Sequence, residues 1–133
     1  MSDNNTAELY VRKASESLAG AESEHVNGRL DNCINRAYYA CFQAAVAALL
    51  QEGIRASRGQ WGHTFVQSQF VGQVINRRHR YPATLRSTLA ELLTLRQSAD
   101  YDPDPISRPE AARGLRRSRE FVDAIRQGRG ERQ

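Results

Sequence analysis

The sequence predicts an all-α domain, a four- to five-helix up-and-down bundle. Three observations carry that expectation. Successive stretches repeat apolar residues at helical spacing, turns marked by Gly, Asn or Pro divide them, and no stretch alternates apolar and polar residues as a strand would. With 133 residues the chain fits one domain, expected over 6–127, with a basic tail at 128–133 expected to be disordered.

The first helix is expected from Asn5, an N-cap candidate with Glu8 at capping-box spacing. It carries the stripe Val11, Ala14, Leu18, Ala21, His25 and stops at Asn27-Gly28. A second helix runs from about Leu30 to Gln51, ending at Gly53, and its stripe Ile34, Ala37, Cys41, Ala44, Ala48 is flanked by further apolar residues. So little polar face remains that this helix belongs at the centre of the bundle. The loop GIRASRGQWG leads to a shorter helix around Thr64–Asn76. Pro82, suited to a first helical turn, opens the fourth helix, whose stripe is Leu85, Leu89, Leu92, Arg96, Ala99. The turn DYDPDPIS cannot continue a helix, and Ser107 with Glu110 forms a capping box for the last one. Its inward stripe is Ala111, Leu115, Ser118, Val122, Ile125.

No apolar run approaches the roughly 20 residues that span a bilayer. The N-terminus is polar and acidic and lacks the basic start and apolar core of a secretory signal, so a cytoplasmic location with no membrane partner is expected. Cys33 and Cys41, about 12 Å apart along one helix, are too distant for a disulfide and are expected as small buried hydrophobes. His25, His63 and His79 are scattered, no metal-ligand spacing is present, and Rossmann, P-loop, zincin and nucleophile-elbow patterns are missing, so neither metal nor cofactor is expected.

The net charge of +4 sits at one end: residues 1–107 carry 11 basic and 11 acidic side chains, whereas 108–133 carry 8 arginines against 4 acids. Two clusters, Arg77, Arg78, His79, Arg80 and Arg113, Arg116, Arg117, Arg119, are candidate phosphate contacts, with a solvated helix face as the plainer reading.

Arg96 is the most informative position, because a guanidinium on a leucine stripe must find an acidic partner or face a pocket. Asp100, one turn later, offers a plain i, i+4 ion pair. Tyr38 and Tyr39 are expected on different sides of the second helix, and helical phase lets Arg36 and Tyr39 meet Arg96 and Asp100 around a shared polar cavity. His63 is expected to pack locally or cap a helix, and Trp61 either stacks a base or covers the bundle end. Arg58 and His63 form an R-x-x-x-x-H string, but in a loop.

The run Asn-Arg-Ala-Tyr-Tyr-Ala at 35–40, a Gly-containing loop with His63, and Leu-Arg-x-x-Ala-Asp-Tyr at 95–101 before a final amphipathic helix together resemble the HEPN family (higher eukaryotes and prokaryotes nucleotide-binding). The resemblance covers roughly residues 6–127. It implies an up-and-down helical bundle, homodimerisation, RNA or nucleotide as ligand, and roles in toxin–antitoxin or defence modules beside a minimal nucleotidyltransferase acting as antitoxin. In ribonuclease members of the family, an Arg, a polar residue and a following His form a metal-independent site completed across the dimer. Arg96 and Gln97 match the first two, and by that match Arg96, Asp100 and Tyr101 are the catalytic candidates, with Arg36, Tyr39, His63, Arg77, Arg78 and Arg80 as candidate nucleic-acid or nucleotide contacts.

The histidine does not match: the chain continues through Tyr101, Asp102 and Pro103, and no histidine follows. Tyr101, with an ordinary pKa near 10, is a poor base at neutral pH. Two readings therefore stand. One is an RNA-binding protein that cleaves RNA; the other is a non-catalytic nucleotide-binding or protein-interaction module that partners a nucleotidyltransferase or a larger nucleic-acid-targeting complex.

Overall fold

Helix α1 (Asp3–Val26) lies against α2 (Leu30–Gln51), and the reversal between them passes through Gly28 at φ +76°, a conformation glycine adopts without strain. The computed structural model describes residues 3–56 and 58–132, with side chains described as far as residue 128. Helix α1 begins at Asp3, two residues before the expected cap, and Asp3 is held there by an ion pair with Arg55 at 3.1 Å. Its inward stripe is Ala7, Ala14, Leu18 and Ala21, and the three alanines let α2 approach closely.

Helix α2 occupies the centre, with α1, α3, α4 and α5 all packed on it. From Ala44 to Leu50 every residue is buried, which is why its sequence shows so little polar face. Both cysteines are buried and free, as their spacing implied.

The third helix differs from expectation in form. Helix α3 (His63–Gln69) passes directly into a π-helical segment, Phe70–Arg77, where Arg78 N donates to Gln73 O at 3.0 Å across the wider turn. That segment turns Phe70, Val74 and Ile75 inward. Phe70 then packs between Tyr81 and Phe121, with ring centroids 6.1 Å and 5.0 Å away. Pro82 does not open the fourth helix: a single 3₁₀ turn (Ala83–Leu85) intervenes and α4 runs from Thr88 to Tyr101. Leu85 nevertheless stays buried, so the predicted stripe keeps its inward direction through the break.

Helix α5 (Arg108–Arg132) starts with the expected capping box. Glu110 N donates to Ser107 Oγ at 3.2 Å, and Ser107 N donates to Glu110 Oε1 at 3.1 Å. The preceding turn is anchored to α2 where Ile106 N donates to Asp31 Oδ1 at 2.9 Å. All five residues of the predicted α5 stripe are buried, and Ser118 satisfies its hydroxyl on Ala37 O at 2.8 Å. Two glycines of α5 mark close contacts: a Cβ on Gly114 would stand 2.6 Å from Ile34 Cδ1, and one on Gly128 would stand 2.7 Å from Tyr81 Cε1. The second contact brings the helix backbone against the Tyr81 ring.

Five α-helices, a π segment and a 3₁₀ turn among the described residues thus realise the all-α bundle. No helix of the described residues is long and apolar enough to cross a membrane.

Candidate functional site

The stripe Leu89, Leu92, Arg96, Ala99 drives α4 onto α2, and Arg96 marks where that seam leaves the core. Its side chain keeps 24% of its exposure, and the guanidinium carbon lies 5.1 Å from the Tyr39 ring centre and 5.7 Å from that of Tyr38. Both distances suit cation–π attraction. The two rings meet edge-on at 70°, so adjacent residues expected on different sides of α2 in fact border one cation. Their positions on the axis differ by about 100°, and Arg96 sits in the angle between them.

Asp100 is the acidic partner of Arg96, at 3.8 Å and one turn along the helix. Such a pair at a half-exposed helix end contributes well under 1 kcal/mol. Arg96 Nε is buried and makes no hydrogen bond among the described residues. The guanidinium is therefore held in direction by aromatic faces, and its charge is only loosely matched.

His63, the first residue of α3, joins this cluster from the other side. Its Nδ1 is hydrogen-bonded to the Tyr38 hydroxyl, and its ring lies 5.4 Å from both Tyr38 and Phe42. Burial pushes the Tyr38 hydroxyl up to about 12, against a weaker opposing pull from Arg96. The tautomer sets the roles in that bond: with the proton on Nδ1 the ring donates to the Tyr38 oxygen and Nε2 keeps its lone pair. Tyr38 thus links Arg96 to His63.

The structure brings together Arg96, Asp100, Tyr39 and His63 of the sequence candidates and adds Tyr38 and Phe42. The expected meeting of Arg36 with this group does not occur. Arg36 lies along α1, its Cδ 3.7 Å from where a Gly20 Cβ would be, and it acts electrostatically on Glu24. Tyr101 is 82% exposed at the end of α4 and takes no part in the ring contacts around Arg96. Arg58 lines a separate open recess with Gln60, Trp61 and Gly62, and Trp61 packs toward Phe65.

Of the basic cluster after the π segment, Arg78 and Arg80 both bind Glu52 Oε1 at 3.2 Å, and Arg78 also donates to Glu52 O at 2.9 Å. The Glu52 side chain is only 4% exposed. Arg77 is exposed beside them. In the second cluster, Arg117 is bound to Glu91 and Arg119 to Glu22.

Sequence reasoning passed over Tyr38 as a site residue because a tyrosine on a buried stripe looks like core. The available signal was the Tyr-Tyr pair itself, since only one of two adjacent rings can point straight into a helix seam.

The HEPN domain model matches residues 7–128 of this chain. A curated relative, the UPF0332 protein PH1297 of Pyrococcus horikoshii, is 39% identical over 72 residues, which is 50% of this chain and 51% of that protein. The chain therefore spans about half the length of the curated relative it matches. Arg96 with its tyrosines, the five-helix bundle and the extent of the family match agree, and the chain belongs to the HEPN domain family.

Proposed function

We propose that this protein binds RNA through Arg96 as part of a prokaryotic toxin–antitoxin or defence module. The carrying observation is the state of Arg96: two tyrosine rings orient the guanidinium, Asp100 meets it only at 3.8 Å, and Nε is unbonded among the described residues. A planar cation so placed suits the forked recognition of a phosphate. Tyr39, 38% exposed beside it, offers a face on which a base stacks.

Cleavage on this reading needs no metal. Arg96 stabilises the charge that develops on the phosphate oxygens; His63 Nε2 takes the proton of the attacking 2′-hydroxyl and returns it to the leaving 5′-oxygen, while Tyr38, accepting from Nδ1–H, fixes the ring from behind. His63 then does the work that the missing histidine after Gln97 does elsewhere in the family. A homodimer would set a second copy of the cluster beside the first, and a minimal nucleotidyltransferase is the proposed protein partner.

One observation favours the second reading, a non-catalytic nucleotide-binding or interaction module. The end of α4 carries Asp100 and the exposed Tyr101 instead of a histidine, so the helix that bears Arg96 supplies no proton-transfer group suited to neutral pH.

The test is metal-free incubation with labelled single-stranded RNA, in chelator, for the native protein, Arg96→Ala and His63→Ala. Binding lost in Arg96→Ala supports the RNA reading. Cleavage lost in both variants, with binding kept in His63→Ala, supports the ribonuclease. Intact RNA with binding retained in the native protein selects the non-catalytic module, and RNA affinity unchanged in Arg96→Ala overturns the assignment of Arg96.

A further inference from the structure

Beside His63 a cleft of about 460 Å³ opens between the α3–π segment and α4. Its volume falls in the range of small-molecule sites. One wall presents His63, Thr64, Gln67, Ser68 and Gly72, and Arg86 and Leu93 face them from the 3₁₀ turn and α4. Beside the apolar Val71 and Leu93, the lining offers hydroxyls, an amide, an imidazole and a guanidinium but no carboxylate.

Two features set the cleft apart from an ordinary groove between helices. Arg86 donates through Nε to Asn76 Oδ1 at 2.9 Å, which fixes its direction, yet it has no carboxylate partner among the described residues. Other arginines do have carboxylate partners: Arg78 and Arg80 share Glu52, and Arg117 binds Glu91. The second feature is Gly72. A glycine inside a helical segment costs backbone entropy relative to alanine, and packing usually explains it, as the close contacts at Gly114 and Gly128 do. At Gly72 a Cβ would meet nothing within 4 Å. Neither a positive φ nor a neighbour calls for glycine there, and its effect is to keep the wall of the cleft bare so that a ligand can approach the backbone.

We infer that this cleft binds one nucleoside monophosphate unit, free or as part of an RNA strand, with its phosphate on Arg86 and its sugar and base edges along Thr64, Gln67, Ser68 and the bare surface of Gly72. The cationic, carboxylate-free lining selects an anionic ligand, and the hydroxyl and amide groups match the donors and acceptors of a ribose and a base edge. His63 borders both this cleft and the Arg96 cluster, so a strand crossing it would contact both. The ligand class rests on the nucleotide reading above, whereas the cleft and its charge do not.

The experiment is a two-dimensional amide NMR titration of the full chain with 5′-AMP, adenosine and a 5′-phosphorylated tetraribonucleotide. The proteins compared are the native chain, Arg86→Gln, Gly72→Leu and Arg96→Ala. Glutamine at 86 can still reach Asn76, and leucine at 72 enters open space, since a Cβ there meets nothing within 4 Å. Saturable shifts confined to residues 63–72 and 86–93 are expected with AMP. They should weaken by at least about tenfold in Arg86→Gln and Gly72→Leu and persist in Arg96→Ala. The same pattern with the tetranucleotide alone makes RNA the source of the unit. Adenosine binding as tightly as AMP, or AMP shifts indifferent to both cleft variants, overturns the inference. AMP shifts that centre on Tyr39 and Arg96 and vanish in Arg96→Ala overturn the cleft while leaving the Arg96 reading standing. Cleft binding with RNA affinity indifferent to Arg96→Ala does the reverse.

Discussion

The pair Arg78 and Arg80 and the single Arg96 carry the same charged group and differ in what surrounds it. Arg78 and Arg80 share a nearly buried carboxylate, Glu52, at 3.2 Å each. Arg96 has two aromatic rings under it and a carboxylate only at 3.8 Å. The pair shares one nearly buried counter-charge, which ties the end of the π segment to the end of α2. Arg96 is aimed by rings that leave its charge free to meet an anion. A count of basic residues does not distinguish structural from ligand-facing arginines; the nearest counter-charge does.

The largest effect expected from this contrast is on stability. Glu52→Ala should lower unfolding free energy by about 2 kcal/mol, because charge-assisted bonds are lost while the arginines, themselves half-exposed, return to water. Denaturant midpoints would show it, and RNA affinity should not fall. If Glu52→Ala were neutral for stability, the two groups would not differ in the way described.

Tyr38→Phe comes next, at about 1 kcal/mol, since it removes the bond to His63 but keeps the ring under Arg96. The same residue predicts an alkaline effect. With its hydroxyl raised from 10.0 to about 12, stability is intact below the ordinary value and drains away as pH climbs toward the folded one, because only the unfolded chain ionises in that window. Tyrosinate absorbance should show a step well above the ordinary tyrosine value, and Tyr38→Phe should remove it.

At the acid end the sign reverses. Hydrogen bonds hold Glu91, through Arg117, and Glu110, through Ser107, below the usual 4.5, so their stabilisation is present above that value and is lost as pH falls through the lowered ones. Ser107→Ala should cost about 1 kcal/mol near neutral pH and flatten part of this acid dependence. The smallest effect belongs to a surface pair of the second basic cluster: Arg119→Gln, which breaks the contact with Glu22, should change stability by less than about 0.5 kcal/mol.

Much of the fold could be read from the sequence because local chemistry determines it. Gly28 and Gly53 both adopt φ +76° at the two ends of α2, the Ser107–Glu110 box closes as written, and the α5 stripe is buried residue for residue. The break before α4 was not legible, because Pro82 suits the first turn of a 3₁₀ helix as well as that of an α-helix. The site was legible only in part. Helical phase placed Tyr39 and Asp100 near Arg96, but phase gives a direction around an axis and not which neighbouring helix lies there, so Arg36 was sent to α4 when it rests on α1. The Tyr38–His63 bond joins residues 25 apart across a loop, and the choice of Glu52 as partner for Arg78 and Arg80 is likewise tertiary. No periodicity encodes either.

The direct measurement is single-stranded RNA affinity at fixed, low salt for Arg96→Ala beside the double variant Arg78→Gln, Arg80→Gln, each checked for folding by circular dichroism. Arg96→Ala should weaken binding by at least about tenfold, or 1.4 kcal/mol, and the double variant by no more than about threefold, the scale of a general charge effect. The opposite order, with Arg96 dispensable and the Glu52-bound arginines essential, would contradict the assignment of Arg96 as the residue that meets the phosphate.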